Sequence, residues 1–233
     1  MKVVGIIASP HAEGSGAALV REALAGARKA GANASEVFLP DMHIEFCRDC
    51  RACMRTARCV IEDDFQKVRD QLMAADGIVL CSPTYGAAMS ARMKNLFDRL
   101  GQFAYLTSSL GGKYVVGMAT ASSFGARKVA RQLAAGVQQS VFGRGYISGT
   151  LAVHLRGRHV SSQPKALSAA SALGRKLVAD IRGRKKFPFQ NLLGRLPNAL
   201  IMRPMIRKGI ERNKDAMRGV YEELARKGVF SQA

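Results

Sequence analysis

No stretch of this 233-residue chain reaches the roughly 18 to 20 uncharged apolar residues that a membrane-spanning helix needs. The apolar opening "MKVVGIIASP" is too short for a secretory leader and ends in a turn. It reads as a strand, and a cytoplasmic location is the default expectation. No zinc-finger, RNP or helix-turn-helix signature is present, so no nucleic-acid partner is expected. No conspicuous Ser-His-Asp or paired-carboxylate constellation stands out either, which counts against hydrolases. Acids are scarce: 17 Asp and Glu face 36 Lys and Arg, a net charge of +19. From Arg182 to Ala233 there are thirteen bases and four acids. Such a basic tail raises nucleic-acid and anionic-membrane readings, but without a recognition motif beside it a solvated basic face is the expectation.

Five cysteines are present, and four fall within thirteen residues: Cys47, Cys50, Cys53 and Cys59 in "CRDCRACMRTARC". A C-x2-C-x2-C-x5-C spacing lets small loops wrap one inorganic centre, an iron-sulfur cluster first. Zinc is the rival ion, although its sites more often arrive as two separated pairs. In a reducing compartment these residues are ligands, redox-active thiols or remnants before they are structural bridges. Arg48, Arg51, Arg55 and Arg58 are interleaved with them; they would stabilise an anionic cluster or attract an acidic electron partner or a nicotinamide phosphate. Cys81, alone in "GIVLCS", reads as a small buried hydrophobe.

Strand-like and helical patterns alternate five times. Strands are expected at Lys2 to Ala8, Ser35 to Leu39, Gly77 to Ser82, Lys113 to Ala119 and Tyr146 to Val153. Helices are expected from Leu19 to Gly31, at "DDFQKVRDQLMAA", at "SARMKNLFDRLGQFAYL", from Gly125 to Gln139 and from Ser161 to Ile181. Asp63 and Asp64 sit where a helix start favours acids. The alternation predicts an α/β fold with a doubly wound parallel sheet, its ligands at the carboxyl ends of the strands. The loop "ASPHAEGSGAAL" after the first strand offers backbone N–H groups and hydroxyls at a helix start, which suits a phosphate. It lacks the Gly-x-Gly-x-x-Gly and Gly-Lys-Ser/Thr patterns, so a mononucleotide fits better than a dinucleotide.

Three motifs then occur in order: Ser-Pro-x3-Gly-Ser-Gly from Ser9, Cys-x2-Cys-x2-Cys-x5-Cys-x3-Asp-Asp from Cys47, and Ser-Pro-x-Tyr-x4-Ser-x3-Lys-x3-Asp-Arg from Ser82. Together they resemble the flavodoxin-like NAD(P)H-dependent FMN reductases, and among these the chain looks most like the iron-sulfur flavoproteins. The resemblance covers about Lys2 to Ile181. It implies a five-stranded sheet of order 2-1-3-4-5, bound FMN, a [4Fe-4S] cluster on the four cysteines, and NAD(P)H or a ferredoxin-like carrier as electron donor. It also implies a homodimer or homotetramer that brings cluster and flavin together. Ser9, His11, Ser15, Gly16 and Ala17 match phosphate-holding positions; the commonest family form has Arg at His11 and Asn-Thr at Ser15-Gly16. Pro83, Thr84, Tyr85 and Gly86 match the segment along the isoalloxazine ring. Thr120, Ser122 and Gly125 belong to the loop "TASSFG" at its other edge. Lys94, Asp98 and Arg99 read as a helix-surface pair and loop packing, with no chemistry assigned.

The expected division is an FMN-binding domain over 1–181, with a cysteine-rich insertion at 40–60, and a basic, helical extension over 182–233. Met205 to Lys227 reads as one amphipathic helix that covers its own domain or a subunit partner; lying on a membrane surface is the alternative. A flavin does the hydride and electron transfer, so the protein need only bind and orient it. The function expected is an FMN-dependent oxidoreductase, the alternative a flavodoxin-like electron-transfer or regulatory module without its own substrate.

Overall fold

A computed structural model describes residues 1–230, with Leu193 described by its backbone alone. The elements run β1 (Lys2–Ile7), α1 (Ser15–Lys29), β2 (Asn33–Phe38), a 3-10 turn at Leu39–Asp41, α2 (Ala52–Thr56), α3 (Phe65–Ala74), β3 (Gly77–Tyr85) and β4 (Ala88–Met89). They continue through α4 (Ala91–Thr107), β5 (Tyr114–Ala121), α5 (Ala126–Gln138), β6 (Tyr146–His154), α6 (Pro164–Arg182), α7 (Leu192–Pro197), α8 (Arg203–Arg212) and α9 (Arg218–Arg226).

The long strands pair in parallel in the order β2-β1-β3-β5-β6. Counting only those five, this is the expected 2-1-3-4-5 arrangement. Successive strand residues face opposite sides, so Val4, Ile6, Ile78, Leu80 and Val115 enter one core layer with residues of α3, α4 and α5. Val3, Ile7, Val79, Val116 and Met118 enter the other, with residues of α1 and α6. Burial on both faces is why these strands read as continuous apolar runs.

A third apolar cluster joins the tail to the cysteine segment. Met54 on α2, Phe103 on α4, Ile210 on α8, Val220 and Leu224 on α9, and Phe230 are all buried together, with Cys53 and Ala57 packed against them. The tail departs here from the single helix expected over Met205 to Lys227. Asn213 ends α8 by sending its side-chain amide to Gly209 O at 2.9 Å, and five residues of turn follow. An asparagine that bonds its own backbone competes with helix continuation, and the break lets Ile210 and Val220 face one cluster.

Two other boundaries differ from the sequence pattern. α6 begins at Pro164, a residue preorganised for a first helical position, because Val160–Ser162 forms a separate 3-10 turn. α4 is interrupted at Gly101, whose φ of 47° and ψ of −152° are outside the helical region.

Candidate functional site

The loop between β1 and α1 is a tight turn closed on itself. The Ser9 hydroxyl, mostly buried, accepts from His11 N–H at 3.4 Å and lies 3.3 Å from His11 O. α1 has no side-chain cap and no acid in its first turn. Its ladder opens with Ala18 N–H donating to Gly14 O, so the N–H groups of Ser15, Gly16 and Ala17 precede the ladder at the positive end of the helix. Ala17 is fully buried, whereas His11 is exposed at the loop tip. The Ser15 hydroxyl is already engaged, accepting from Val160 N–H at 3.0 Å. Ser15 therefore ties the loop to the 3-10 turn Val160–Ser162 that precedes α6, a role that its place in the motif does not reveal.

The segment expected along a flavin ring is a β-hairpin. β4 returns antiparallel on β3, pairing Thr84 with Met89 and Tyr85 with Ala88. Gly86 and Ala87 at its tip have φ of 55° and 59°, the left-handed values that a two-residue hairpin requires. The buried Ser82 hydroxyl clamps its base by accepting from Ser90 N–H at 2.8 Å. Pro83 and Thr84 are half-buried, and Tyr85 and Gly86 are exposed. The Thr84 hydroxyl oxygen is itself buried and has no hydrogen-bond partner among the described residues. A buried hydroxyl without a partner carries a desolvation cost, and a ligand atom would relieve it.

The loop after β5 stands against this hairpin. Pro83 pairs with buried Thr120 across the sheet, and a Cβ on Gly125 (φ 89°) would meet Thr84 Cγ2 at 3.0 Å. Only glycine accepts both that backbone and that approach. Exposed Ser122 receives Arg156 N–H on its carbonyl at 2.9 Å. Phe124, not singled out by the sequence reading, is 71% exposed beside them. The phosphate-loop start joins the same edge, since Ala8 N–H bonds Cys81 O at 3.1 Å and a Cβ on Gly16 would lie 3.5 Å from Cys81 Sγ. Three loops distant in sequence thus meet at the carboxyl ends of β1, β3 and β5. Cys81 lies beneath them, fully buried, its thiol pushed up to about 12 by burial.

The cysteine segment is pinned at its base and open at its tip. His43 and Glu45 N–H donate to Asp64 and Asp63 at 2.8 and 2.9 Å, and Asn95 donates to Ile44 O at 2.8 Å. All four cysteines are free thiols; Cys47 and Cys50 are exposed, Cys53 and Cys59 half-buried. Burial raises the Cys53 thiol, and the charges of Cys59, Cys50 and Cys47 raise it further. Their donor set suits a four-thiolate cluster in type and number. Among the described residues, however, no three His, Cys, Asp or Glu side chains are gathered closely enough to hold a metal ion. The interleaved Arg48, Arg51, Arg55 and Arg58 are all exposed.

Arg99 is what the sequence reading missed. Lys94 and Asp98 do form the expected exposed helix pair, but the Arg99 side chain is only 1% exposed and faces an Asp63 carboxylate that is 0% exposed. It donates to both Asp63 oxygens at 2.6 and 3.0 Å, to Glu45 O at 2.6 Å and to Cys59 Sγ at 3.4 Å, stacked over Phe65. Burial alone would raise the Asp63 carboxyl; the Arg99 guanidinium and the N–H groups of Glu45 and Phe65 outweigh it and hold the pKa below the usual carboxylate range. Asp63 does cap α3, through Phe65 N–H at 3.0 Å, but its larger role is to hold the cation that reaches Cys59. The burial periodicity of α4 was the available signal.

The chain is similar to several known proteins. An iron-sulfur flavoprotein of Methanocaldococcus jannaschii is 37% identical over 120 residues, 50% of this chain and 62% of that protein. One from Methanosarcina thermophila is 34% identical over 99 residues, 42% of this chain and 52% of that protein. The chain therefore matches less than two thirds of the length of these curated relatives. Among solved structures, an archaeal flavodoxin covers 78% of the chain at 14% identity and a TM-score of 0.52, over 99% of its own length. An NAD(P)H:quinone oxidoreductase from Methanothermobacter marburgensis covers 76% at 17% identity and a TM-score of 0.58, over 98% of its own length. These likenesses show a flavodoxin-like fold. The family model described as NADPH-dependent FMN reductase matches residues 1–154, which hold all three loops and the cysteine segment, and the chain belongs to that family.

Proposed function

We propose that this protein is an FMN-dependent oxidoreductase that takes electrons from NAD(P)H or a ferredoxin-like carrier and passes them to an acceptor. The observation that carries the reading is the convergence of three loops at the carboxyl ends of β1, β3 and β5, one of which holds a buried Thr84 hydroxyl with no partner among the described residues. Bound FMN would supply the hydride and electron chemistry. The chain's own work is to bind and orient. The N–H groups of Ser15, Gly16 and Ala17, with Ser9 and His11 at the loop, receive the phosphate. Pro83, Thr84, Tyr85 and Gly86 line one edge of the ring, and Thr120, Ser122 and Gly125 the other. Thr84 offers a hydroxyl that nothing among the described residues satisfies, which favours a ring heteroatom at that point. Residues 1–181 would form the flavin-binding unit, and 182–233 the extension that covers its cysteine segment.

Cys47, Cys50, Cys53 and Cys59 are proposed as ligands of a [4Fe-4S] cluster, supported by their spacing, their free thiols and the names of the relatives. Their segment must draw the thiols together to close on it. Anaerobic purification, a visible spectrum and assays of iron and acid-labile sulfide test both parts. Flavin bands over a broad absorption that dithionite bleaches, with about four irons per chain, are expected. Flavin without iron would remove the cluster and leave the reductase; failure to bind added FMN would overturn the whole reading. Turnover of NAD(P)H with a quinone or dye acceptor separates an enzyme from an electron-transfer module.

A further inference from the structure

We propose that Phe189 to Met205 forms a docking ridge for an anionic lipid surface. This stretch holds Phe189, Leu192, Leu196, Leu200, Ile201 and Met205, which are 83%, 53%, 64%, 68%, 63% and 59% exposed. Leu192, Leu196 and Leu200 follow one another at four-residue spacing along α7 and the π-helical turn Asn198–Met202, which leads directly into α8. A run of large apolar side chains turned to water in so short a segment marks an interaction site rather than ordinary surface.

The ridge is held in place by hydrogen bonds to its backbone, with Phe189, Leu200, Ile201 and Met205 exposed and clear of the cavity beneath it. Arg144 donates to Gln190 O and Phe187 O at 3.1 and 2.9 Å, and Arg195 to Pro188 O at 2.6 Å. Asn198 and Arg203 both donate to Val141 O, at 3.1 and 2.7 Å. A cavity of about 780 Å3 separates it from the body of the domain, with these three arginines and one side of Leu192 and Leu196 on its wall. Little ordering is then left to pay for when the ridge meets a partner.

Charge decides the occupant. Between Asp180 and Glu211 the chain has no acid and eight bases; Arg182, Arg195 and Arg203 hold backbone carbonyls and Lys185 and Arg207 pair with Asp180 and Glu211, while Arg184, Lys186 and Lys208 are exposed. A second copy would set those cations against their own duplicates, in a molecule of net charge +19. An anionic bilayer answers both features at once, because Leu, Ile, Phe and Met enter the acyl boundary while Lys and Arg meet the headgroups. No described helix is long and apolar enough to cross a membrane, so the ridge would lie on the surface rather than span it. The inference is independent of the flavin reading.

The full chain would be sedimented with vesicles of phosphatidylcholine alone, or with about one third phosphatidylglycerol. Partition onto the anionic vesicles only is expected, with a loss of about tenfold or more in Leu196→Glu/Leu200→Glu/Ile201→Glu. Because the sequence contains no tryptophan, Leu200→Trp provides a single reporter, and its emission should shift to the blue with anionic vesicles. That variant keeps the test decisive if the triple variant fails to fold. No partition and no shift would overturn the proposal, as would partition that the triple variant leaves unchanged. A wild-type dimer that ignores vesicles and becomes monomeric in the triple variant would assign the ridge to a second copy.

Discussion

Thr84 and Arg99 are each defined by one buried polar group. Thr84→Val keeps the shape and removes a hydroxyl that has no partner among the described residues. Without flavin its stability should be unchanged or slightly higher, because the desolvation cost disappears. FMN affinity, measured by flavin fluorescence titration, should fall about tenfold, which is ~1.4 kcal/mol. A residue of purely structural importance would show the opposite pattern. Arg99→Met should cost about 3 to 5 kcal/mol in urea unfolding, because it strands the Asp63 carboxylate. The Asp63 pKa is held below its ordinary value, so the pair's contribution is complete above the unfolded-state pKa of about 4 and is lost as pH falls through the folded value. Asp63→Asn should flatten the stability profile on the acid side of that range. Arg99 shares the buried face of α4 with Leu96 and Phe103, so its burial follows from helical spacing, but its partner Asp63, 36 residues away, is found only in the tertiary structure.

At the scale of elements, the cysteine segment depends on α9. A Cβ on Gly219 would stand 2.3 Å from Ala57 N, a backbone contact that cannot yield. Gly219→Val should therefore lift α9 from α2, with a cost of about 1 to 3 kcal/mol by chemical denaturation. Cys53, half-buried in that cluster, should be alkylated several-fold faster in the variant, as mass spectrometry of the labelled chain would show. Secondary structure was largely legible here: the five long strands and five long helices fall where apolar periodicity puts them. The hairpin β3–β4 was not, because a two-residue strand carries no periodicity. The break between α8 and α9 was missed because Asn213 acts through its own backbone, which an apolar pattern does not record.

For the whole molecule, the extension is the part whose removal is most informative. It buries Met54 and Phe103 through Ile210, Val220, Leu224 and Phe230. It also reaches the sheet edge, where Gln190 accepts from Ile147 N–H at 3.0 Å and donates to Ile147 O at 2.7 Å. A chain ending before Arg182 should aggregate or unfold at lower temperature, seen by light scattering and thermal melting, because those apolar surfaces become exposed. If it stayed soluble, kept its assembly state and kept FMN, the extension would have no covering role.

The sequence by itself determined the layering. Strand and helix periodicities and the punctuation between them specify which residues turn inward, and these are local properties of the chain. The motif order likewise marked the loops and cysteines of the candidate site. Tertiary structure alone decided which groups within those loops are free. Ser15 is spent on Val160, Thr84 is left without a partner among the described residues, and Arg99 is drawn through Asp63 to Cys59. Whether a buried polar group is satisfied depends on atoms brought from distant parts of the chain, and no local pattern contains that information.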